Sequence, residues 1–208
     1  MSPEIRRLPT TLALAAAVVV LASGCGHNGG LGPATPTGAT ILGGQPVTSA
    51  PPPPQGWAVH TAVPASQQQA QDTVLGYLKK TVQGLPAGTT LDATGYGATN
   101  TPPCKDEDTG NPPMSLNTIG DLKPPAGTDP NALIALTGEI WTSWGWYVFE
   151  RDEFRKPNRF GYAPDGYSLQ IKAKAQPGYP PSLEGISPCF PGELPNNRSP
   201  FPTVITAD

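Results

Sequence analysis

Tyr167-Ser168-Leu169-Gln170-Ile171-Lys172-Ala173-Lys174-Ala175 alternates apolar and polar side chains without a fault. A period of two puts Tyr167, Leu169, Ile171 and Ala173 on one face of a strand and the polar residues on the other. The pattern predicts an antiparallel sheet with one dry and one wet face. Immediately upstream, Pro164-Asp165-Gly166 has the chemistry of a tight turn. Before that, Trp146 to Phe154 reads as a strand with aromatics on both faces. Downstream, a further strand is expected over about 182–189. The tail from 192 to 208 is Pro-rich and reads as irregular.

Two helices precede this strand cluster. Ser66 and Gln69 match a capping box, and Val74, Leu75, Leu78 and Val82 recur at helical spacing. Lys79 and Lys80 fall near the end, where cations suit the helix dipole, and Gly84 and Pro86 supply the stop. The spacing predicts a helix over 67–83. Asp129-Pro130 opens a second, with an N-cap aspartate and a proline preset for the first turn. Its apolar stripe reads Leu133, Leu136, Ile140 and Trp144, with Gly145 as terminator. Between the helices a strand is expected near 89–96, and 99–128 reads mainly as loop. The order predicts an α+β domain over 66–191, a small antiparallel sheet with both helices packed on its one dry face.

Composition sets the limits of that domain. The chain has 208 residues, of which 28 are Pro and 24 Gly, and only 14% are charged. One compact globule of this length would carry far less Pro and Gly. Residues 26–71 contain no Asp, Glu, Lys or Arg, and include the run Pro51-Pro52-Pro53-Pro54. Such a stretch buries too little apolar surface to offset its ordering entropy, so 25–65 reads as a disordered, partly polyproline tether. A formal net charge of -3 gives no electrostatic footprint for nucleic acid.

The N-terminus reads as an address. Arg6 and Arg7 precede the apolar run Leu12 to Leu21, too short to span a bilayer and suited to a signal peptide over 1–24. Leu21-Ala22-Ser23-Gly24-Cys25 follows, and this stretch resembles the lipobox of bacterial lipoproteins, with Ala22 where a larger aliphatic is usual. The resemblance implies diacylglycerol on Cys25, export, and anchoring on the outer face of the cell membrane. Two acyl chains suffice for stable anchoring.

Two cysteines remain, Cys104 and Cys189. In an exported chain they are expected to pair, pinning the Cys104 loop to the last strand. Loop-closure entropy for such a span is worth roughly 4–5 kcal/mol as an upper figure.

Catalytic signatures are few. His27 and His60 are the two histidines, and both fall in the expected tether, so a Ser-His-Asp, Cys-His or His-based zinc site has no imidazole in the domain. No phosphate-binding glycine loop occurs. We therefore expect no enzyme, cofactor or metal. Glu139, Glu150, Asp152 and Glu153 are the carboxylates a glycan-cleaving enzyme could use. The segment Glu150 to Lys156 alternates sign and reads instead as a solvated edge with local ion pairs. Asp106-Glu107-Asp108 lacks calcium-loop spacing and reads as a wet acidic loop.

Nine of the fifteen aromatics fall between Trp141 and Tyr167. A strand has two faces, so Trp146 and Tyr147/Phe149 cannot all meet the same helix layer. One set goes to core, and the other to solvent, a covering loop or a ligand. Trp146, Tyr147 and Phe149 are thus the candidate binding surface, for an envelope protein or a glycan or lipid ligand. The functional expectation is a non-catalytic binding domain. The alternatives are an accessory or structural subunit of an envelope complex, and a carboxylate-based glycan enzyme.

The lipobox, the Pro-rich tether, the spaced cysteines, and Asp165-Gly166-Tyr167-Ser168-Leu169-Gln170-Ile171 followed by Ser187-Pro188-Cys189-Phe190 resemble small mycobacterial lipoproteins. The layout is similar to the LppA-like group. That resemblance implies a location and a fold, and no catalytic residues.

Overall fold

The computed structural model describes residues 50–104, 110–192 and 200–207. Two α-helices, α1 (Gln67–Gln83) and α2 (Pro130–Ser143), pack on an eight-stranded, wholly antiparallel sheet. Its strands are β1 (Thr90–Asp92), β2 (Thr99–Asn100), β3 (Asn117–Lys123), β4 (Tyr147–Phe149), β5 (Asn158–Tyr162), β6 (Ser168–Lys172), β7 (Ser182–Ile186) and β8 (Val204–Ile205). They lie in the order β4-β5-β6-β7-β3-β1-β8, with β2 also paired to β3. The α+β class holds, with both helices on one face.

Local chemistry places the helices. The Ser66 side chain accepts from the Gln69 amide at 3.1 Å, while Gln69 Oε1 accepts from the amide of Ala65, one residue earlier than in the reciprocal capping box. Asp129 caps α2 by accepting from the amides of Asn131 and Ala132. Gly145, at φ +79°, turns the chain from α2 into β4. The buried side of α2 is Leu133, Ile134, Thr137, Gly138 and Trp141, rotated from the predicted Leu136/Ile140/Trp144 stripe, whose members are partly buried at the margin. The cause is Trp141. Its ring lies over Gly161 of β5, where a Cβ would come within 2.7 Å of the indole. Its Nε1 donates to Thr81 Oγ1 on α1 at 3.1 Å, tying the two helices together. On the other helix, Val74 seats against Gly185 of β7. Leu78, Leu116, Leu122, Ile171, Leu183 and Phe190 complete the main core.

Three differences from the sequence expectation bear on the site. First, β3 runs through what read as loop; Thr118 and Leu122 lie in its buried row, Leu116 just before it is buried too, and Gly120 admits the Asp92 backbone, a Cβ there falling 2.9 Å from the Asp92 carbonyl oxygen. Second, Val204–Ile205 in the supposedly irregular tail pairs antiparallel with β1, Ile205 filling the core beside Leu91. Third, β6 has no wet face: Ser168 and Gln170 are buried along with Leu169 and Ile171. The far side of the sheet is therefore covered over part of its extent.

Cys104 and Cys189 are disulfide-bonded, with Cα atoms 6.2 Å apart. Bridges from Met114 to Pro103 and to Phe190 run beside it. Cys25, the signal segment and Asp106-Glu107-Asp108 lie outside the described residues. Among the described residues no helix is long and apolar enough to cross a membrane.

Candidate functional site

The aromatic-rich strand divides its side chains between two layers. Trp146 faces the helices, edge-on to Tyr77 at 4.8 Å and to Trp144 at 5.4 Å between ring centroids. Tyr147 and Phe149 face the opposite side, 4.7 Å apart, with Tyr162 and Phe160 of β5 completing a second cluster. All three candidate residues are buried, Trp146 at 5%, Tyr147 at 4% and Phe149 at 8% exposure. They do not form an open platform, and the strand sends them to different faces.

The cover over the second cluster comes from the segment expected to belong to the tether. Residues 50–65 run along the far side of β4 and the β5–β6 turn. Trp57 packs on Tyr147 with centroids 5.1 Å apart, and Tyr147 Oη donates to the Pro51 carbonyl. The amides of His60 and Ala62 donate to the carbonyls of Pro164 and Asp165, at 2.6 and 2.9 Å. Pro64 is buried, and Thr61 lies against Gly166. The tether expectation misses this because a charge-free, Pro-rich stretch has no core of its own; here it borrows one from a sheet face about a hundred residues on. The signal in the sequence is Trp57, a lone large aromatic where a pure spacer needs none. The cluster's other side is closed by Phe154, packed on Phe160 at 4.8 Å.

Burial raises the Tyr147 hydroxyl above its ordinary pKa, with the nearby Tyr162 adding to it. Tyr162 is raised too, by burial, although Arg151, donating to its hydroxyl at 3.2 Å, pulls the other way. Both hydroxyls are neutral at physiological pH, Tyr147 donating to Pro51 and Tyr162 accepting from Arg151.

Beyond the aromatic cluster the same sheet face turns polar. Lys172 bridges to Glu184 at 3.0 Å, and Glu184 accepts from Asn117 Nδ2 at 2.8 Å. Lys174 pairs with Asp121 at 2.9 Å, beside Tyr96, whose hydroxyl also donates to Asp121. Lys123 pairs with Asp92 at 2.6 Å. Hydrogen bonds from Lys123 and Thr94 hold the Asp92 carboxyl well below the usual carboxylate range. These are cross-strand pairs; Lys123–Asp92 is the most exposed of them and worth little to stability, while Lys172–Glu184 is mostly buried.

On the helix side, a shallow depression of about 440 Å³ opens between α2 and the β4–β5 edge, lined by Ala135, Gly138, Glu139, Thr142, Ser143, Val148, Phe149 and Arg159. The Arg159 stem crosses α2 at Gly138, where a Cβ would meet its Cγ at 2.7 Å. Its guanidinium donates to Glu150 at 3.1 Å. Burial tends to raise the Glu150 carboxyl, but the Asn158 amide, Lys156 and Arg159 outweigh it and hold the group below its ordinary value. That is the wrong direction for a general acid, whose carboxyl must keep its proton near neutrality. Asp152 pairs with Lys156 and Glu153 with Arg151. The run from 150 to 156 is thus the ion-paired edge its alternating signs predict, and it lends the glycan-enzyme alternative no support.

Among the described residues no group of three or more His, Cys, Asp or Glu is placed to hold a metal ion. Comparison with protein-family models, curated proteins and solved structures finds no match.

Proposed function

We propose that this chain is an exported lipoprotein, held on the outer face of the cell membrane by diacylglycerol on Cys25, whose α+β domain is a non-catalytic binding module. The observation that carries the reading is the order basic pair, ten-residue apolar run, then Leu21-Ala22-Ser23-Gly24-Cys25. A Cys104–Cys189 disulfide suits an oxidising compartment. The carboxylates of the 150–156 edge are occupied by neighbouring cations, which favours binding over acid–base chemistry. The likeness in layout to LppA-like lipoproteins points the same way. The accessory-subunit alternative draws on β4, which among the described residues ends the sheet and pairs on one side, but three residues give a short edge for strand addition.

The test is Cys25→Ala in an expressing bacterial host, followed by detergent phase separation. The wild-type chain is expected in the detergent phase, and the variant unprocessed or in the aqueous phase. Normal maturation and detergent partitioning of the variant would remove the anchor.

A further inference from the structure

The segment over the second aromatic cluster is held differently from the rest of the molecule. Pro51 to Ala58 are exposed except for Trp57, which is half-buried. Pro54, Gln55, Gly56 and Trp57 form a turn closed by the Trp57 amide on the Pro54 carbonyl at 3.0 Å, with Gly56 at φ +79° in the third position. That is type II turn geometry, and the indole that follows it packs on Tyr147. The segment's polar contacts to the sheet are a tyrosine-to-carbonyl hydrogen bond and two amide bonds to the β5–β6 turn, and its apolar ones the Trp57–Tyr147 ring pair, Ala50 on the aromatic cluster and Thr61 on Gly166. Trp57 Nε1 is buried and has no partner among the described residues. A buried donor left unpaired weakens the hold of the segment that carries it.

The surface underneath is, by contrast, rigidly built. Tyr147, Phe149 and Tyr162 stand on paired strands, with ring centroids 4.7 to 6.2 Å apart, Phe149 stacked on Tyr162 and Tyr147 tilted against both. An aromatic row offering a tyrosine hydroxyl to a carbonyl of a proline run is the recurrent way proteins recognise polyproline segments. The ligand brings carbonyls that no amide of its own competes for, and it loses little entropy on binding. We propose that the Tyr147/Phe149/Tyr162 row is a binding site for a proline-rich, tryptophan-bearing segment of a partner protein, and that residues 50–62 form a displaceable strap, 50–57 occupying the row in cis and the His60 and Ala62 amides fastening it to the β5–β6 turn. The occupant follows from the segment already seated there: Pro51 supplies the carbonyl that the Tyr147 hydroxyl bonds, and Trp57 the ring that packs on Tyr147. The strap lowers the apparent affinity for the partner by the fraction of time it is docked. The proposal gives a ligand class to the binding module proposed above, and it does not depend on lipid at Cys25.

The test uses the full-length chain in detergent micelles. The first arm is hydrogen exchange of the wild type. The His60 and Ala62 amides are expected to exchange at least about 10-fold faster than those of Leu169 and Ile171 in the core, as a sub-global opening does. Equal protection would make the strap part of the global fold and overturn the proposal. The second arm adds a synthetic peptide of residues 49–58 carrying fluorotryptophan to the Trp57→Ala chain. Saturable binding is expected, about 10-fold or more tighter than to the wild type, and lost when the peptide's tryptophan is replaced by alanine. Absence of binding to the folded variant overturns the site. Should Trp57→Ala lose its cooperative melting, Tyr147→Phe replaces it. That change removes only the bond to Pro51, and must speed exchange at His60 and Ala62 while leaving Leu169 unchanged. Wild-type chains that sediment as dimers through exchanged straps would contradict a partner protein as the occupant. Failure of the Cys25→Ala experiment leaves both arms standing, so the two readings fail separately.

Discussion

Replacing Tyr147 by alanine separates a buried role from an exposed one. The side chain is 4% exposed and touches rings on several sides, Trp57 at 5.1 Å, Phe149 at 4.7 Å and Tyr162 at 6.2 Å. Deleting a buried aromatic costs about 3–5 kcal/mol when the site cannot collapse. One wall of this site is the half-buried strap, which can settle into the void, so the lower end, about 3 kcal/mol, is the expected cost. The hydroxyl bond to Pro51 accounts for roughly 1 kcal/mol, the loss expected for Tyr147→Phe. For a domain of this size each kcal/mol moves the melting temperature by about 2–4 °C. Tyr147→Ala should therefore melt about 6–12 °C below wild type, and Tyr147→Phe about 2–4 °C below. The assay is calorimetry of the oxidised protein at neutral pH. A fall of under about 2 °C for Tyr147→Ala would mean the residue stands in solvent, and the two-layer description of the sheet would be wrong.

Gly161→Ala drives a methyl into Trp141, 2.7 Å from its ring, and should cost about 1–3 kcal/mol by denaturant titration; a neutral effect would place Trp141 elsewhere. Replacing Cys104 and Cys189 together by serine should lower stability by about 2–5 kcal/mol, and two thiols should titrate in the wild type only after reduction; free thiols in the oxidised wild type would contradict the bond. Stability should also fall steeply above about pH 10. Tyr77, Tyr147, Tyr162 and Tyr167 are all raised by burial first, Tyr77 also by its bond to Asp165 at 2.5 Å. Their folded-state pKa values lie above the unfolded one, so the stabilisation is complete below the unfolded pKa and lost as pH rises toward the folded values. Tyr77→Phe should flatten that alkaline slope in a pH series of chemical denaturation, and an unchanged slope would count against the burial.

The parts of this fold that could be read in advance are those whose causes are local. Ser66 and Gln69 fix the start of α1, Asp129-Pro130 that of α2, and Pro164-Asp165-Gly166 the tight turn into β6. The strand β3 was hidden because Asn117, Asp121 and Lys123 on one face, and Gly120 on the other, dilute its apolar row. Gly120 is there to admit the Asp92 backbone, a demand of the neighbouring strand that its own sequence cannot announce. The α2 stripe was misphased for the same reason: Trp141 faces the sheet because Gly161 leaves room for its ring, and Trp144 takes the margin. The candidate site was half legible. The period-two argument places Tyr147 and Phe149 opposite Trp146, and the strand bears that out. Their cover could not be read, since the contact of Trp57 with Tyr147 joins segments about ninety residues apart, and the composition of 50–65 speaks for a spacer.

The anchored-module account rests most directly on the chemistry of Cys25. Intact mass and N-terminal peptide mass spectrometry of the protein extracted from membranes measures it. The account predicts that the mature chain begins at Cys25 and carries a thioether-linked diacylglyceryl group, whose ester-linked acyl chains are released as fatty acids on base treatment while the glyceryl thioether stays on Cys25. A mature chain that begins at another residue, or that carries an unmodified Cys25, would contradict it.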